Sequence, residues 1–192
     1  MPLPRRPTLL RHSALATVIV AMIACAGPAA DAPPAATGRD AAAVELRPVT
    51  VEEWRIELAR LEGRIAVVDM WATWCIPCIE RFPHMVELFH RYEAEGVTFV
   101  SVCLDDPGDE QAVASARRFL EGQRAVFANY LITENTADAF EKLDLLSIPA
   151  VFIYAADGEL RYRLTADDPN DQFTDSDVEA AISNLLGELP LV

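Results

Sequence analysis

Residues 65–71 read IAVVDMW, an apolar run broken by a single acid. Such a run predicts a strand buried on both faces. A doubly buried strand needs a layer of helices on each side, which restricts the chain to an α/β sandwich. The run continues into ATWCIPCIERFP, where Cys75 and Cys78 are separated only by Ile76 and Pro77. The strand therefore delivers a close cysteine pair to the start of the next element.

The rest of the chain alternates strand and helix patterns. Residues 44–49 (VELRPV) predict a short strand. Thr50 and Glu53 form a capping box for a helix through about Leu61, which Gly63 ends. A helix containing Pro83 follows the cysteines to about Glu95, then Gly96 and the strand VTFVSVCL. The acids of DDPGDE (residues 105–110) read as a solvated loop leading into the helix QAVASARRFLEG. Next come a strand at 126–132, a short helix around 136–143, and a hairpin over 150–164 turned at Asp157-Gly158. The last helix is SDVEAAISNLL, with Ser176 and Glu179 as a second capping box. Alternating units that end in a hairpin predict a central mixed sheet flanked by helices.

The N-terminus has a different character. MPLPRRPTLLRH is basic, SALATVIVAMIA is apolar, and small residues follow. That order describes a secretory signal over residues 1–24, too short in its apolar part for the roughly 20 residues of a spanning helix. Cys25 follows MIA directly, which resembles a bacterial lipoprotein signal in which Cys25 becomes the lipidated first residue. Met22 stands where such signals usually have leucine; ordinary cleavage nearby and an uncleaved anchor are the alternatives. Each places the domain of residues 44–192 outside the cytoplasmic membrane, in the cell envelope or periplasm. Residues 25–43, rich in Ala, Pro and Asp, read as a flexible tether. Without Arg5, Arg6 and Arg11 the formal charge moves from −14 to −17. A surface so acidic repels phosphate backbones, so nucleic acid is not an expected partner.

A cysteine pair at this spacing is either half of a zinc site or a dithiol that cycles with a disulfide. Cys25 and Cys103 make no second pair, and His84 and His90 lie off the helical face of Cys78, so no metal is expected. In the redox reading Cys75 opens a helix, where unpaired N–H groups and the positive helix end favour the thiolate. Cys78 is one turn on, within reach of a disulfide, and would attack the mixed disulfide formed on Cys75. Pro77 is tolerated in a first turn, and neither it nor Ile76 adds charge. No cofactor beyond the Cys75–Cys78 disulfide is implied. Cys103 reads as a small buried apolar residue, and His84 and His90 as helix-surface residues.

WATWCIPC after an apolar strand resembles the active site of the thioredoxin superfamily. Asp69 coincides with that family's buried aspartate, Pro83 with its helix-kinking proline, and Ser147-Ile148-Pro149 with its cis-proline loop. The spacing from Cys75 to Pro149 exceeds that of plain thioredoxins by about one helix and one strand. With the tether and WATWC, this resembles the TlpA/ResA-like branch of extracytoplasmic, membrane-tethered reductases. The branch often carries glutamate three residues after the second cysteine; here that residue is Arg81, with Glu80 one earlier. It often has asparagine where this chain has Asp69.

The resemblance implies a thioredoxin-like fold with an extra helix and strand before the cis-proline loop. It implies a protein-disulfide reductase in which Cys75, Cys78 and Asp69 are catalytic, Asp69 taking the proton of Cys78. Trp74, Ile76, Pro77, Ile148 and Pro149 would contact substrate, the proline loop leaving a backbone edge for an extended segment. Implied partners are exported cysteine proteins such as apocytochrome c and an upstream membrane dithiol that supplies electrons. A disulfide oxidase or isomerase on the same fold is the alternative. A copper-binding module is a further alternative, without the usual histidine near the proline loop, and thiol peroxidases want a threonine-proline-rich cysteine loop absent here.

Overall fold

The computed structural model describes residues 43–188 apart from 169 and 171. The expected signal segment, Cys25 and nearly all of the expected tether lie outside those residues. The described elements run β1 (Leu46–Val49), α1 (Val51–Ala59), β2 (Ala66–Trp71), α2 (Ile76–Tyr92), β3 (Thr98–Cys103), α3 (Glu110–Gln123), β4 (Ala128–Ile132), α4 (Thr136–Lys142), β5 (Ala150–Tyr154), β6 (Leu160–Thr165) and α5 (Asp175–Glu188). The six strands form one sheet in the order β1-β4-β3-β2-β5-β6. The first four are mutually parallel, and β5 and β6 are antiparallel. This is the mixed sheet that the alternation predicts.

Every residue of β2 is buried: the strand lies between β3 and β5 and is covered on both faces. On one face Val68, Met70, Val100, Val102 and Phe152 pack against Trp54 of α1 and Ala139 of α4. On the other, Val67, Phe99, Val151 and Ile153 meet Met85 and Leu88 of α2 and Val178, Ile182 and Leu185 of α5. A third apolar group lies on this second side, near the carboxyl ends of the parallel strands. There Trp71 and Cys103 meet Cys75, Cys78 and Phe82 together with Ala116 and Leu120 of α3. The cysteine pair therefore sits on a packed aromatic floor, in which the ring centroids of Trp71, Phe82 and Phe119 are 5.0–5.2 Å apart.

Local chemistry sets the helix starts. Thr50 accepts from the Glu53 N–H at 3.2 Å, and Glu53 accepts from the Thr50 N–H at 2.8 Å. Thr50→Ala should therefore cost about 1 kcal/mol, read as a lower urea midpoint at unchanged slope. The second capping box is displaced from the expected one. Thr174, not Ser176, stands before α5 and exchanges hydrogen bonds with Asp177. Glu179 instead pairs with Arg91 of α2. Helix α3 runs one residue past Gly122 and stops at Arg124, which takes a left-handed conformation (φ 55°). Gly158 carries the hairpin turn at φ 82°. A side chain there would press on Glu62, whose Cγ lies 2.9 Å from the position of an added Cβ.

Candidate active site

The site is assembled at the junction of β2 and α2. Cys75 is the residue that caps α2, and its sulfur accepts the Cys78 N–H at 3.3 Å. The two cysteines are joined in a disulfide. The first-turn N–H groups and the positive end of α2 face the Cys75 sulfur, so an opened disulfide leaves a thiolate in a favourable field. Pro77 lies in that first turn, where it interrupts no helical hydrogen bond. Both cysteines are buried, while Trp74, Ile76 and Pro77 are exposed around them.

The large apolar side chains exposed among the described residues are Ile56, Trp74, Ile76, Val126, Leu146 and Leu160. Trp74 and Ile76 flank Cys75, and Leu146, 82% exposed, lies three residues before Pro149. Trp74 stacks on Phe140 of α4, with ring centroids 6.5 Å apart. Pro149 is buried and follows a cis peptide bond to Ile148. Ile148 packs against the same apolar group as Cys75 and Cys78, which brings the proline loop to the redox pair. The loop is fastened from β6: Asp167 accepts from Ser147 and Thr165, each at 2.8 Å, and Ala166 donates to the Pro149 carbonyl. Trp71, by contrast, is wholly core.

Asp69 is 2% exposed and sits on the same sheet face as Trp71, beneath α2 and α5. Its neighbour across the ladder is Ser101, whose hydroxyl donates to Asn129 at 2.8 Å. Among the described residues Asp69 Oδ2 has no hydrogen-bond partner. Burial pushes the Asp69 carboxyl up to about 6; Arg81 opposes that rise, and Asp175 adds to it. A carboxyl in that range can hold or release a proton near neutral pH.

The expectation of a fully solvated DDPGDE loop is corrected at its first residue. Asp106 and Asp109 behave as expected, one in a local turn with Gly108 and the other capping α3. Asp105 is buried, however, and reaches across to the cysteine loop. Its carboxylate accepts from the Thr73 N–H at 3.1 and 3.2 Å and from the Thr73 hydroxyl at 2.8 Å. It also accepts from the Cys103 thiol at 3.2 Å. Burial and the Asp105 charge push the Cys103 thiol well up, so it remains protonated. Cys103 is thus more than a small apolar residue: it helps satisfy the carboxylate that holds Thr73, two positions before Cys75.

Two contributors are not legible as such in the sequence: Asp105 and Arg81. A signal existed for the first, because Asp105 follows the carboxyl end of a central parallel strand, where sites of open α/β sheets gather. A signal existed for Arg81 too, spaced i+3 from Cys78 and so on its helical face. His84, expected at the surface, is partly buried, with a buried Nε2. Among the described residues no group of three or more His, Cys, Asp or Glu side chains is placed to hold a metal ion, and no helix is long and apolar enough to cross a membrane.

Comparison with known proteins agrees with this architecture. Over 106 residues the chain is 26% identical to the thiol-disulfide oxidoreductase ResA of Bacillus subtilis, a match covering 55% of each chain. The chain thus spans about half the length of that curated relative. Among solved structures it is similar to a putative thiol:disulfide interchange protein DsbE from Chlorobium tepidum. That match has 25% identity and a TM-score of 0.54, and covers 67% of this chain and 84% of the other. A thioredoxin-like protein solved in its oxidised form superposes with a TM-score of 0.55 at 14% identity, over 68% of this chain and 82% of the other, which speaks for the fold alone. The AhpC/TSA family profile matches residues 37–163, a span that holds the cysteine pair, Asp69 and the proline loop. The chain belongs to the AhpC/TSA family and has a thioredoxin-like fold.

Proposed function

We propose that this chain is a protein thiol–disulfide oxidoreductase that works outside the cytoplasmic membrane as a reductase of protein disulfides. The observation that carries the reading is the Cys75–Cys78 disulfide at the start of α2, flanked by exposed Trp74 and Ile76. The relatives named for thiol-disulfide exchange support the same reading.

In the dithiol form the Cys75 thiolate attacks one sulfur of a substrate disulfide. A mixed disulfide forms, and the other substrate sulfur leaves as a thiolate and takes up a proton. The Cys78 sulfur then attacks the Cys75 sulfur, giving its proton to Asp69, and the second substrate sulfur leaves as a thiolate that takes up a proton from solvent. Two electrons have moved from the protein to the substrate, and the Cys75–Cys78 disulfide has formed. Return to the dithiol needs an external reductant, which we assign to a membrane dithiol carrier, since soluble reductants are scarce outside the cytoplasm. Exported cysteine proteins, apocytochrome c among them, are the proposed substrates, docking on the apolar rim and along the Ile148–Pro149 loop. Cys25 is the proposed attachment to the membrane. The side chains of Ile76 and Pro77 add neither charge nor donor beside Cys75, which favours the reducing direction.

A Cys78→Ser variant made in the cell envelope should accumulate mixed disulfides on Cys75, and mass spectrometry of the adducts should identify exported cysteine proteins. If the adducts were no more abundant than in a Cys75→Ser, Cys78→Ser double variant, the reading would be wrong. The direction is tested separately: a reduction potential near −120 mV, typical of strong disulfide donors, would make the protein an oxidase.

A further inference from the structure

Arg81 is placed as no simple surface cation would be. Its side chain is 11% exposed and leaves α2 one turn after Cys78. The guanidinium carbon lies 4.3 Å from the centre of the Phe173 ring. Nη2 is 3.4 Å from Asp175 Oδ1 at the start of α5, and Nη1 is 3.9 Å from Asp69 Oδ1 on β2. Asp175 is about half exposed and Asp69 is buried. A single cation thus stands between two carboxylates, one on the sheet and one near the surface.

A purely structural role would need only part of this arrangement. The Phe173 stack and the Asp175 contact already tie α2 to α5. They do not account for Nη1, which makes no hydrogen bond among the described residues and faces Asp69 Oδ1, while the other oxygen of that carboxyl, Oδ2, also lacks a partner there. At 3.9 Å the pair interacts through charge and not through a hydrogen bond. That is the arrangement in which a carboxyl stays free to change protonation while a neighbouring charge sets its balance. The charged groups acting on Asp69 are Arg81 from α2 and Asp175 from α5. Its strand neighbours, Ser101 on β3 and Val151 on β5, carry no charge.

We propose that Arg81 is a positioning residue for the second half of the exchange: held between Asp69 and Asp175, it keeps Asp69 as the anion that receives the Cys78 proton. This rests on the oxidoreductase reading above. It also gives Asp175 a part, because that carboxylate competes for the same cation and repels Asp69.

The test uses the dithiol form of the full chain and 5,5′-dithiobis(2-nitrobenzoate) as the probe. Cys75 releases the first thionitrobenzoate, and attack by Cys78 releases the second, whose rate is followed from pH 4 to 9. In Arg81→Gln the acidic limb of the second phase should move up by about one pH unit or more. Arg81→Lys should bring it back toward the parent profile, and Asp175→Asn should move it the opposite way. The carboxyl carbon shift of Asp69, followed by NMR in the oxidised protein, should titrate in parallel. Coincident midpoints in the parent, Arg81→Gln and Asp175→Asn proteins, with two equivalents still released, would overturn the role of Arg81 and leave the redox reading intact. Failure of the parent to release a second equivalent would instead remove the redox reading on which this role rests. If Arg81→Gln does not fold, Arg81→Lys and Asp175→Asn carry the same comparison.

Discussion

Replacing Asp105 by alanine should cost about 3 kcal/mol of stability and slow thiol exchange at Cys75. The carboxylate is buried and accepts from three donors: the Thr73 N–H, the Thr73 hydroxyl and the Cys103 thiol. Alanine leaves those donors without partners, and a buried unsatisfied donor costs about 1–3 kcal/mol. The cost falls partly on function, because Thr73 belongs to the short link between β2 and Cys75, which itself caps α2. Asp105→Asn keeps an acceptor oxygen for Thr73 and should lose only about 1 kcal/mol. Urea unfolding of both variants, with the rate of Cys75 alkylation after reduction, provides the check. An alanine variant within 1 kcal/mol of the parent would show that Asp105 does not hold the loop.

The second large effect concerns pH. Burial raises the Asp69 carboxyl from 3.8 to about 6 in the folded protein, so the folded state binds that proton more tightly than the unfolded chain does. A raised carboxyl stabilises the fold below its unfolded value and loses that contribution as pH rises through the folded value. The loss is about 3 kcal/mol in full, and about 2 kcal/mol falls between pH 4 and 7. In Asp69→Asn this dependence disappears, so the stability of the variant relative to the parent should climb by that amount over the same interval. Chemistry runs the other way: exchange through Cys78 should weaken below about pH 6 in the parent, because Asp69 then already carries a proton. Urea titrations of both proteins at several pH values measure the first effect. A constant difference between them from pH 4 to 7 would rule out a raised carboxyl at Asp69.

The fold is largely legible from periodicity. A continuous apolar run, IAVVDMW, can be satisfied only in the middle of a covered sheet, and β2 is found there. The cysteines follow from the same run, since the strand end and helix start fix where they stand. What the sequence hides is pairwise. Asp105 looks like one acid among several in DDPGDE, and only the adjacency of β3 and β2 sets it under Thr73. Arg81 looks like a surface residue of an amphipathic helix until α5 packs beside α2 and supplies Phe173 and Asp175. The expected and observed caps of α5 differ for a local reason, because Thr174-x-x-Asp177 and Ser176-x-x-Glu179 are overlapping solutions to the same capping problem. Packing of Glu179 toward Arg91 decides between them.

The two margins of the sheet bear on the company such a protein keeps. One margin is β1, four residues long with Pro48 inside it, and the other is β6, which carries Arg161 and Arg163. Those arginines are held by Asp157 and Asp144. A short strand with a proline and a strand studded with cations are both poor templates for adding another chain. Blunt margins of this kind keep extended backbone from adding to the sheet as a seventh strand.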